Sequence, residues 1–481
     1  MEAQHTEPAT LQQRAKNPAP GTAAPVPTNN DTALALAGAK ALSPAQQAIA
    51  EALAAPERTA EEAREHPLIL VVHASVGSGH RSAANAIAEA LEEAGEKARA
   101  AGETDSLEAR STTRVLDILD FGRIVFDGDK TASMFTGWTR PFYDLTWRYT
   151  LTGRLLWGGG TIWARLMYPK FTEYVRRLRP AAIVCTHITA ANVAVSARMI
   201  TGLGFPILCV PTDYEAEGLW PHLHTDLFCV ANESMAETLR PRRVPEDRIC
   251  ITGIPASPAF SKTYDRDKAR RSFGLPEDKQ VLLALAGAKL PQPYVHFRSA
   301  ISEILPFMHS LPSAQLVIVA GADEKYEREL RRQVAEYGLS NVTVLGYVNA
   351  MAELMEAADV VICKPGGLTV TECLCAHAPM ILLGRAYGQE KANVRMLTAA
   401  GAAMAATTPR ELLDTLRHIS DHSASANAML MNASLLRRPH AAEAIAQAAF
   451  ALIRREPPRD PKLRAKHFLH FYWGNKPAHV R

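Results

Sequence analysis

The sequence predicts an α/β fold built from two doubly wound domains, each a parallel sheet covered by helices on both faces. In the first half of the chain, short apolar runs alternate with helical patterns, at LILVVHAS (68–75), AAIVCTH (181–187), FPILCVPTD (205–213) and LFCVANE (227–233). Apolar runs separated by helices are typical of parallel strands buried on both sides. The alternation restarts after TGIPASPAF (252–260), and a chain of 481 residues exceeds one ordinary core.

The second domain is predicted from a further series of apolar runs with helical patterns between them. These runs are QVLLALAGA (280–288), AQLVIVAGA (314–322), NVTVLGYV (341–348), DVVICKPGG (359–367) and APMILLG (378–384). We therefore place the first domain at 66–262, the second at 263–440, and a C-terminal helix with a basic aromatic tail at 441–481.

The N-terminal segment has a different composition from both domains. Residues 1–65 are rich in Ala, Pro, Thr, Gln and Glu and contain no aromatic residue. Such a segment cannot bury a core of its own. It is predicted to be a mostly disordered extension that allows a short helix around 44–55.

The composition describes a soluble globular protein, with 47% hydrophobic and 21% charged residues. A net charge of +3 is too small to indicate a nucleic-acid partner. We see no signal peptide and no apolar run of about 18–20 residues, so any membrane contact is expected to be peripheral. The seven cysteines form no CxxC pair and lie mostly in apolar runs. This pattern indicates buried free thiols in a reducing cytosol.

Residues 138–179 combine four of the six tryptophans of the protein with eight interleaved basic residues. Aromatic rings and cations together suit a membrane interface, where the cations meet anionic lipid. Aromatic residues also fill ordinary cores, so a helical subdomain with its own core is the alternative. The basic aromatic tail at 454–481 could touch the same surface or pack across the first domain.

The first candidate site follows the first predicted strand, at Gly77-Ser78-Gly79-His80-Arg81. A helix is predicted to begin near Arg81, and its free N–H groups suit a phosphate or an activated oxygen. The positive end of the helix dipole disfavours imidazolium, so a neutral His80 could act as a general base. The alternative is a structural turn with a packed histidine. The pattern is not GxGxxG, which disfavours a dinucleotide site.

The second candidate site lies where the strand at 359–363 ends and a helix follows. The turn contains Lys364, Gly366, Gly367, Leu368 and Thr369. Backbone N–H groups at such a helix start favour a diphosphate. About one helical turn further on, Glu372 can accept hydrogen bonds from both hydroxyls of a ribose.

Other loops are expected at the same edge of the second sheet. Gln389, Glu390 and Asn393 carry side chains that hydrogen-bond polyols, although a capped, solvated helix would show the same residues. Gly287, Lys289 and Val348 are weaker candidates for contact with a nucleotide. No His, Cys and Asp cluster has the spacing of a metal site, so we expect neither a metal nor another cofactor.

Two stretches resemble a known family. SVGSGHRSAANAIAEAL (75–91) resembles the N-terminal motif of monogalactosyldiacylglycerol synthases and processive diacylglycerol glucosyltransferases. GYVNAMAELMEAADVVICKPGGLTVTECLCAHAPMIL (346–382), followed by GQEKANV (388–394), resembles their nucleotide-sugar signature, which MurG-like transferases share. The resemblance implies the GT-B fold, in which two Rossmann-like domains face each other across a cleft.

The resemblance also implies a reaction and roles for individual residues. The reaction is an inverting transfer of a hexose from a UDP-sugar donor to a lipid hydroxyl, most naturally that of diacylglycerol, without a bound metal. By motif position, His80 matches the general base and Glu372 the acid that binds ribose. The remaining matches are Gln389 and Glu390 at the sugar with Asn393 nearby, Gly366, Gly367 and Leu368 at the diphosphate, Val348 at the base, and Thr212 and Asp213 beside the acceptor.

The sequence departs from the family on the acceptor side. Many relatives place a histidine a few residues before a tryptophan, whereas TDYEAEGLW (212–220) has Glu215 and Glu217 in that window. Ser78 also interrupts the glycine triplet of the first motif.

The resemblance places the protein on the cytoplasmic face of the cell membrane, in contact with anionic lipid through 138–179. Three other functions stay open. They are a transferase moving N-acetylglucosamine to a polyprenyl-type or other acceptor, a non-catalytic nucleotide- and membrane-binding protein, and a nucleotide-sugar epimerase. The epimerase would need acidic catalytic residues on both domains.

Overall fold

The computed structural model describes residues 43–76, 78–123, 163–215, 220–287, 295–384, 386, 390–421 and 423–455. Predictions for residues 1–42, for most of the aromatic and basic stretch (138–162) and for the tail (456–481) lie outside these ranges.

The first lobe is built on a parallel sheet of six strands. They are β1 (Leu68–His73), β2 (Thr112–Asp117), β3 (Ala182–Cys185), β4 (Ile207–Cys209), β5 (Leu227–Val230) and β6 (Ile249–Ile251). Their order across the sheet is β2-β1-β3-β4-β5-β6. In β1, β3, β4 and β5 every residue is buried, as expected for strands covered on both faces.

The second lobe repeats this architecture with six further parallel strands. They are β7 (Gln280–Leu285), β8 (Ala314–Val319), β9 (Val342–Leu345), β10 (Val360–Cys363), β11 (Met380–Leu383) and β12 (Ala403–Ala406). The order is β12-β11-β10-β7-β8-β9. Two doubly wound domains are therefore confirmed.

The helices whose bounds the structure gives lie between the strands, before β1 and after β12. In chain order they are α1 (Pro44–Ala54), α2 (Ala60–Glu65), α3 (Gly79–Ala100), α4 (Leu107–Arg110), α5 (Pro169–Leu178), α6 (Ile188–Thr201), α7 (Glu233–Leu239), α8 (Arg266–Ser272), α9 (Val295–Ile304), α10 (Glu324–Glu336), α11 (Met351–Ala357), α12 (Gly367–Cys375), α13 (Glu390–Ala399), α14 (Pro409–Asp421), α15 (Ser423–Leu436) and α16 (Ala441–Arg455). None of these described helices is long and apolar enough to cross a bilayer.

Helix α3 shows why the helices form where they do. Its buried residues Ala84, Ala88, Leu91, Gly95 and Ala98 recur every three or four positions, which places them on one face. Helix α16 packs against this helix, and its apolar side chains join the core cluster of α3. The chain therefore returns from the second lobe to the first.

The structure corrects the prediction for the N-terminal extension. Helix α1 lies where a short helix was allowed, around 44–55, whereas the prediction of disorder is wrong for residues 56–65, which include α2. Ile49 is buried in the core of the first lobe. Glu57 forms ion pairs with Arg176 and Arg179, and Arg58 donates to the Leu178 carbonyl oxygen at 3.1 Å. These few anchors are not visible in the average composition of the segment.

The seven cysteines are free, as predicted, and all but the half-buried Cys250 are buried. Burial raises the pKa of the Cys209 thiol to about 12. Buried thiols of this kind behave as small apolar side chains.

A buried ion pair ties the strands and helices of the first lobe together. Arg198 on α6 pairs with Asp226, and both side chains are almost fully buried. Arg198 also donates to the backbone carbonyl of Phe205 at 3.2 Å and to that of His224. Asp226 in turn accepts from the Ile207 amide at 2.9 Å, at the start of β4.

Replacing Arg198 should destabilise the first lobe, because Asp226 would remain buried without its partner. Breaking one side of a buried pair typically costs about 3–5 kcal/mol. We expect Arg198→Met to lower the midpoint of urea unfolding, followed by circular dichroism. The control Arg332→Met removes an exposed arginine from α10 and should leave the midpoint nearly unchanged. Equal midpoints for the two variants would contradict this role of Arg198.

Candidate active site

The two predicted motifs face each other across the lobes. Helix α3 begins at Gly79, two residues earlier than predicted, so His80 lies within its first turn. Helix α12 begins at Gly367 in the other lobe. A Cβ atom added to Gly79 would lie 3.7 Å from the Cβ atom of Leu368, which is ordinary van der Waals contact. The helix start that carries His80 therefore meets the helix start predicted to bind a diphosphate.

The hydrogen bonds of His80 fix the tautomer of its ring. Nδ1 lies 2.9 Å from the backbone carbonyl oxygen of Thr186, which can only accept. The proton of a neutral ring is therefore on Nδ1, and Nε2 carries the free lone pair. The Thr186 hydroxyl donates back to the His80 carbonyl oxygen at 2.9 Å. Both residues are thus held by a reciprocal pair of bonds.

The His80 ring is neutral at physiological pH. Burial lowers the pKa of His80 to about 4, and the positive charges of His73 and Lys364 act in the same direction. The bond to the Thr186 carbonyl opposes this shift. A neutral imidazole was predicted from the helix dipole, but burial is the main cause. His187 packs edge-on against His80 with ring centroids 4.6 Å apart, and burial keeps its pKa low as well.

On the second lobe, Glu372 is a half-buried acid on α12. Burial raises the pKa of its carboxyl group to about 7. Among the described residues, burial is the cause that is resolved for this shift. A carboxyl group with a strongly raised pKa is typical of functional sites.

Lys364 supplies a positive charge where α12 begins. Its Nζ atom would lie 3.2 Å from a Cβ atom on Gly366, and it forms an ion pair with Glu390 at 3.7 Å. Burial lowers the pKa of Lys364, while the charge of Asp213 opposes that shift. An ammonium group beside free N–H groups at a helix start favours an anion such as a diphosphate.

Asn393, which is predicted near the sugar, contacts residues of both lobes. Its side chain is fully buried, and its Oδ1 atom accepts from the Tyr214 amide at 3.1 Å. Its Nδ2 atom donates to the Pro365 carbonyl at 2.9 Å and to Asp213 Oδ1 at 3.3 Å. The side-chain amide of Asn393 therefore links the two lobes.

Thr212 and Asp213, predicted beside the acceptor, contact Gly367 in the turn that is predicted to bind a diphosphate. A Cβ atom on Gly367 would overlap the carbonyl oxygen of Thr212 and lie 3.0 Å from Asp213 Oδ1. Glycine at 367 is therefore required for the approach of the two lobes. Burial raises the pKa of Asp213 to about 6, and its bond from Asn393 opposes that shift.

The remaining predicted residues lie at the expected edges. A Cβ atom on Gly287 would lie 2.5 Å from the Gly321 amide nitrogen, so glycine is needed where β7 and β8 end. Val348 is half-buried in the loop after β9, and Thr369 is half-buried in the first turn of α12. Ser78 precedes α3, and Arg81 is exposed in its first turn. Gly77, Lys289 and Gln389 lie outside the described residues.

The sequence analysis missed Thr186, His187, Tyr214 and Thr371 as site residues. Thr186 and His187 end the predicted strand run AAIVCTH, and this polar ending was the available signal. The adjacency of β1 and β3, which places them beside His80, is a property of the sheet order. In the described ranges, no group of three or more His, Cys, Asp or Glu side chains could hold a metal ion.

The chain matches one family model in each lobe. Residues 80–256 match the model of monogalactosyldiacylglycerol (MGDG) synthase, and residues 292–447 match the glycosyltransferase family 28 C-terminal domain. The processive diacylglycerol beta-glucosyltransferase of Bacillus licheniformis is 28% identical over 59% of this chain and 72% of its own length. That of Staphylococcus carnosus is 33% identical over 52% of this chain and 62% of its own.

Solved structures share the fold. The S. aureus MnaA–UDP co-structure has a TM-score of 0.53 at 12% identity and covers 81% of this chain and 99% of its own. The UDP-GlcNAc 2-epimerase from Neisseria meningitidis bound to UDP-GlcNAc has a TM-score of 0.52 at 12% identity. The match covers 80% of this chain and 100% of that chain. At this identity the likeness concerns the fold alone. The chain thus contains an MGDG synthase domain followed by a glycosyltransferase family 28 C-terminal domain, is similar to processive diacylglycerol beta-glucosyltransferases, and is a glycosyltransferase with the GT-B fold.

Proposed function

We propose that the protein transfers a hexose from a UDP-sugar to the hydroxyl group of diacylglycerol, with inversion at the anomeric carbon. The observation that carries this proposal is the neutral His80 ring, whose free Nε2 lone pair is fixed by the Thr186 carbonyl beside the start of α12. The names of the curated relatives support the acceptor and the glucosyl donor class.

The second lobe has the groups that a nucleotide sugar needs. The N–H groups at the start of α12 and the Lys364 ammonium group would hold the diphosphate. Glu372 would accept hydrogen bonds from the two ribose hydroxyls, which requires its charged form. The pKa of about 7 in the free protein should therefore fall when the donor binds.

The proton transfer follows from the His80 tautomer. Nε2 takes the proton of the acceptor hydroxyl as that oxygen attacks the anomeric carbon. The bond from the anomeric carbon to the diphosphate oxygen breaks, and UDP leaves with the electron pair. Lys364 and the start of α12 stabilise the charge on the leaving group. A single displacement of this kind inverts the configuration.

The described surface of the first lobe supports a peripheral position on a membrane. Residues 163–167 are helical, and Trp163 and Leu166 are 41% and 57% exposed. Arg165 and Lys170 are exposed next to them. We define these four residues as the Trp163 patch. Its mixture of rings, apolar groups and cations suits the headgroup region of an anionic bilayer.

His80 and Glu372 should affect different steps. His80→Ala should leave UDP affinity nearly intact and lower turnover by about 10²–10⁴. Glu372→Ala should instead weaken UDP binding. Isothermal titration with UDP measures affinity, and mass spectrometry of lipid products from diacylglycerol liposomes and a panel of UDP-sugars measures turnover. His418→Ala, which changes an exposed histidine of α14, is the control.

Two outcomes would contradict this assignment. Loss of UDP affinity in His80→Ala would argue against the base, and unchanged affinity in Glu372→Ala would remove the ribose contact. Transfer to a polyprenyl acceptor alone, or epimerisation of the UDP-sugar without any acceptor, would replace the proposed reaction by another.

The affinity for a UDP-sugar should rise with pH, because only the charged form of Glu372 accepts from both ribose hydroxyls. The affinity should increase from the lowered pKa of the donor-bound form up to the free-protein pKa of about 7, and it should level off above about pH 8. UDP-glucose is the suitable probe, since the terminal phosphate of UDP itself titrates near pH 6. The isosteric Glu372→Gln variant should bind UDP-glucose weakly, and its affinity should not change with pH. An equal pH dependence in that variant would assign the effect to another group.

The Trp163 patch should contribute to vesicle binding. We expect the double variant Trp163→Gln/Leu166→Gln to sediment less with vesicles containing anionic lipid, because its apolar groups no longer enter the interface. Phe307→Gln removes a comparably exposed apolar side chain, 50% exposed, from the second lobe and serves as the control. Unchanged sedimentation of the double variant would place the membrane contact elsewhere.

A further inference from the structure

Thr212 connects the proposed base to the second lobe. Its Oγ1 atom lies 3.0 Å from His80 Nδ1. Its carbonyl oxygen packs against Gly367, where even a methyl group would overlap it. One residue of the first lobe therefore touches both the catalytic ring and the helix start proposed to bind the diphosphate.

The loop that carries Thr212 is held by the second lobe. The Tyr214 amide donates to Asn393 Oδ1 at 3.1 Å. The Thr371 hydroxyl donates its proton to the Gly367 carbonyl oxygen at 2.8 Å. Its Oγ1 atom can therefore only accept from the Tyr214 hydroxyl, which lies 3.0 Å away. Of the described contacts of residues 213–215, every hydrogen bond and ion pair goes to the second lobe. The position of Thr212 thus depends on the docking of residues 212–215.

The Nδ1 proton of His80 has two acceptors, and this arrangement defines the effect of Thr212 on the ring. The single Nδ1 proton points to the Thr186 carbonyl, and the Thr212 hydroxyl oxygen is a second acceptor at similar distance. When Nε2 takes a proton, the ring becomes a cation and its N–H bonds become charge-assisted and stronger. Thr212 therefore stabilises the protonated base more than the neutral one.

We propose that Thr212 is a positioning residue that makes the orientation and basicity of His80 depend on docking of residues 212–215 against α12 and α13. The ring is fully supported only when the two lobes are in contact at Gly367. The consequence for turnover rests on the proposed function, because it assumes that His80 is the base. The coupling between residues 212–215 and the His80 ring does not depend on the proposed function.

The test compares variants of the full chain that change the hydroxyl or the docking. Thr212→Val keeps the side-chain shape and should lower turnover about tenfold with UDP affinity unchanged. Thr212→Ser should restore most of the activity. Tyr214→Phe loosens the docking through Thr371 and should lower turnover too. In the double variant Thr212→Val/Tyr214→Phe, the fold-decrease in turnover should be smaller than the product of the two single decreases, because both changes act on the His80 ring.

A readout without substrate keeps the two proposals separate. In protein labelled with ¹⁵N-histidine, the His80 Nδ1–H signal should shift in Thr212→Val and in Tyr214→Phe. Thr398→Val makes the same chemical change at an exposed site of α13 and should not shift it. An unshifted signal in both loop variants would overturn the role of Thr212. Shifted signals in a protein that transfers no sugar to any lipid would leave the coupling intact and refute the proposed function.

Discussion

The hydrogen bond from the His80 ring to the Thr186 carbonyl is the constraint on which the site depends. It follows from the sheet, because β1 and β3 are neighbours and pair Val72 with Cys185. Thr186 is the next residue, and its amide donates to the Val72 carbonyl at 3.1 Å. Its own carbonyl is thereby fixed beside the first turn of α3. The chemistry of the ring is thus set by the backbone of a strand end instead of by a carboxylate.

The charges around this ring fit a site for an anionic donor. Lys364 forms an ion pair with Glu390 and feels the charge of Asp213, and Glu372 lies on the helix α12 that follows. Burial raises the pKa of Asp213 to about 6 and that of Glu372 to about 7. The same low-dielectric surroundings strengthen the attraction of Lys364 for a diphosphate.

The fold and the position of the motifs could be predicted because both follow from local patterns. Fully buried strands appear as apolar runs, and Gly-rich turns mark where helices begin. The role of Thr186 could not be predicted in this way, since 106 residues separate it from His80 and only the strand order brings them together. Asn393 has the residue type of a sugar ligand, but its partners are set by docking of the first lobe. Helices α1 and α2 depend on a few tertiary contacts that composition does not report.

The central claim is that His80 is a neutral imidazole with its proton on Nδ1. Long-range ¹H–¹⁵N correlation spectra of protein labelled with ¹⁵N-histidine measure the tautomer and charge directly, with His80→Gln identifying the signal. The account predicts the neutral Nδ1–H form at pH 7, retained down to about pH 5 because burial lowers the pKa to about 4. A neutral Nε2–H form, or a charged ring already at about pH 6.5, would contradict the account, since Nε2 could then not accept the acceptor proton.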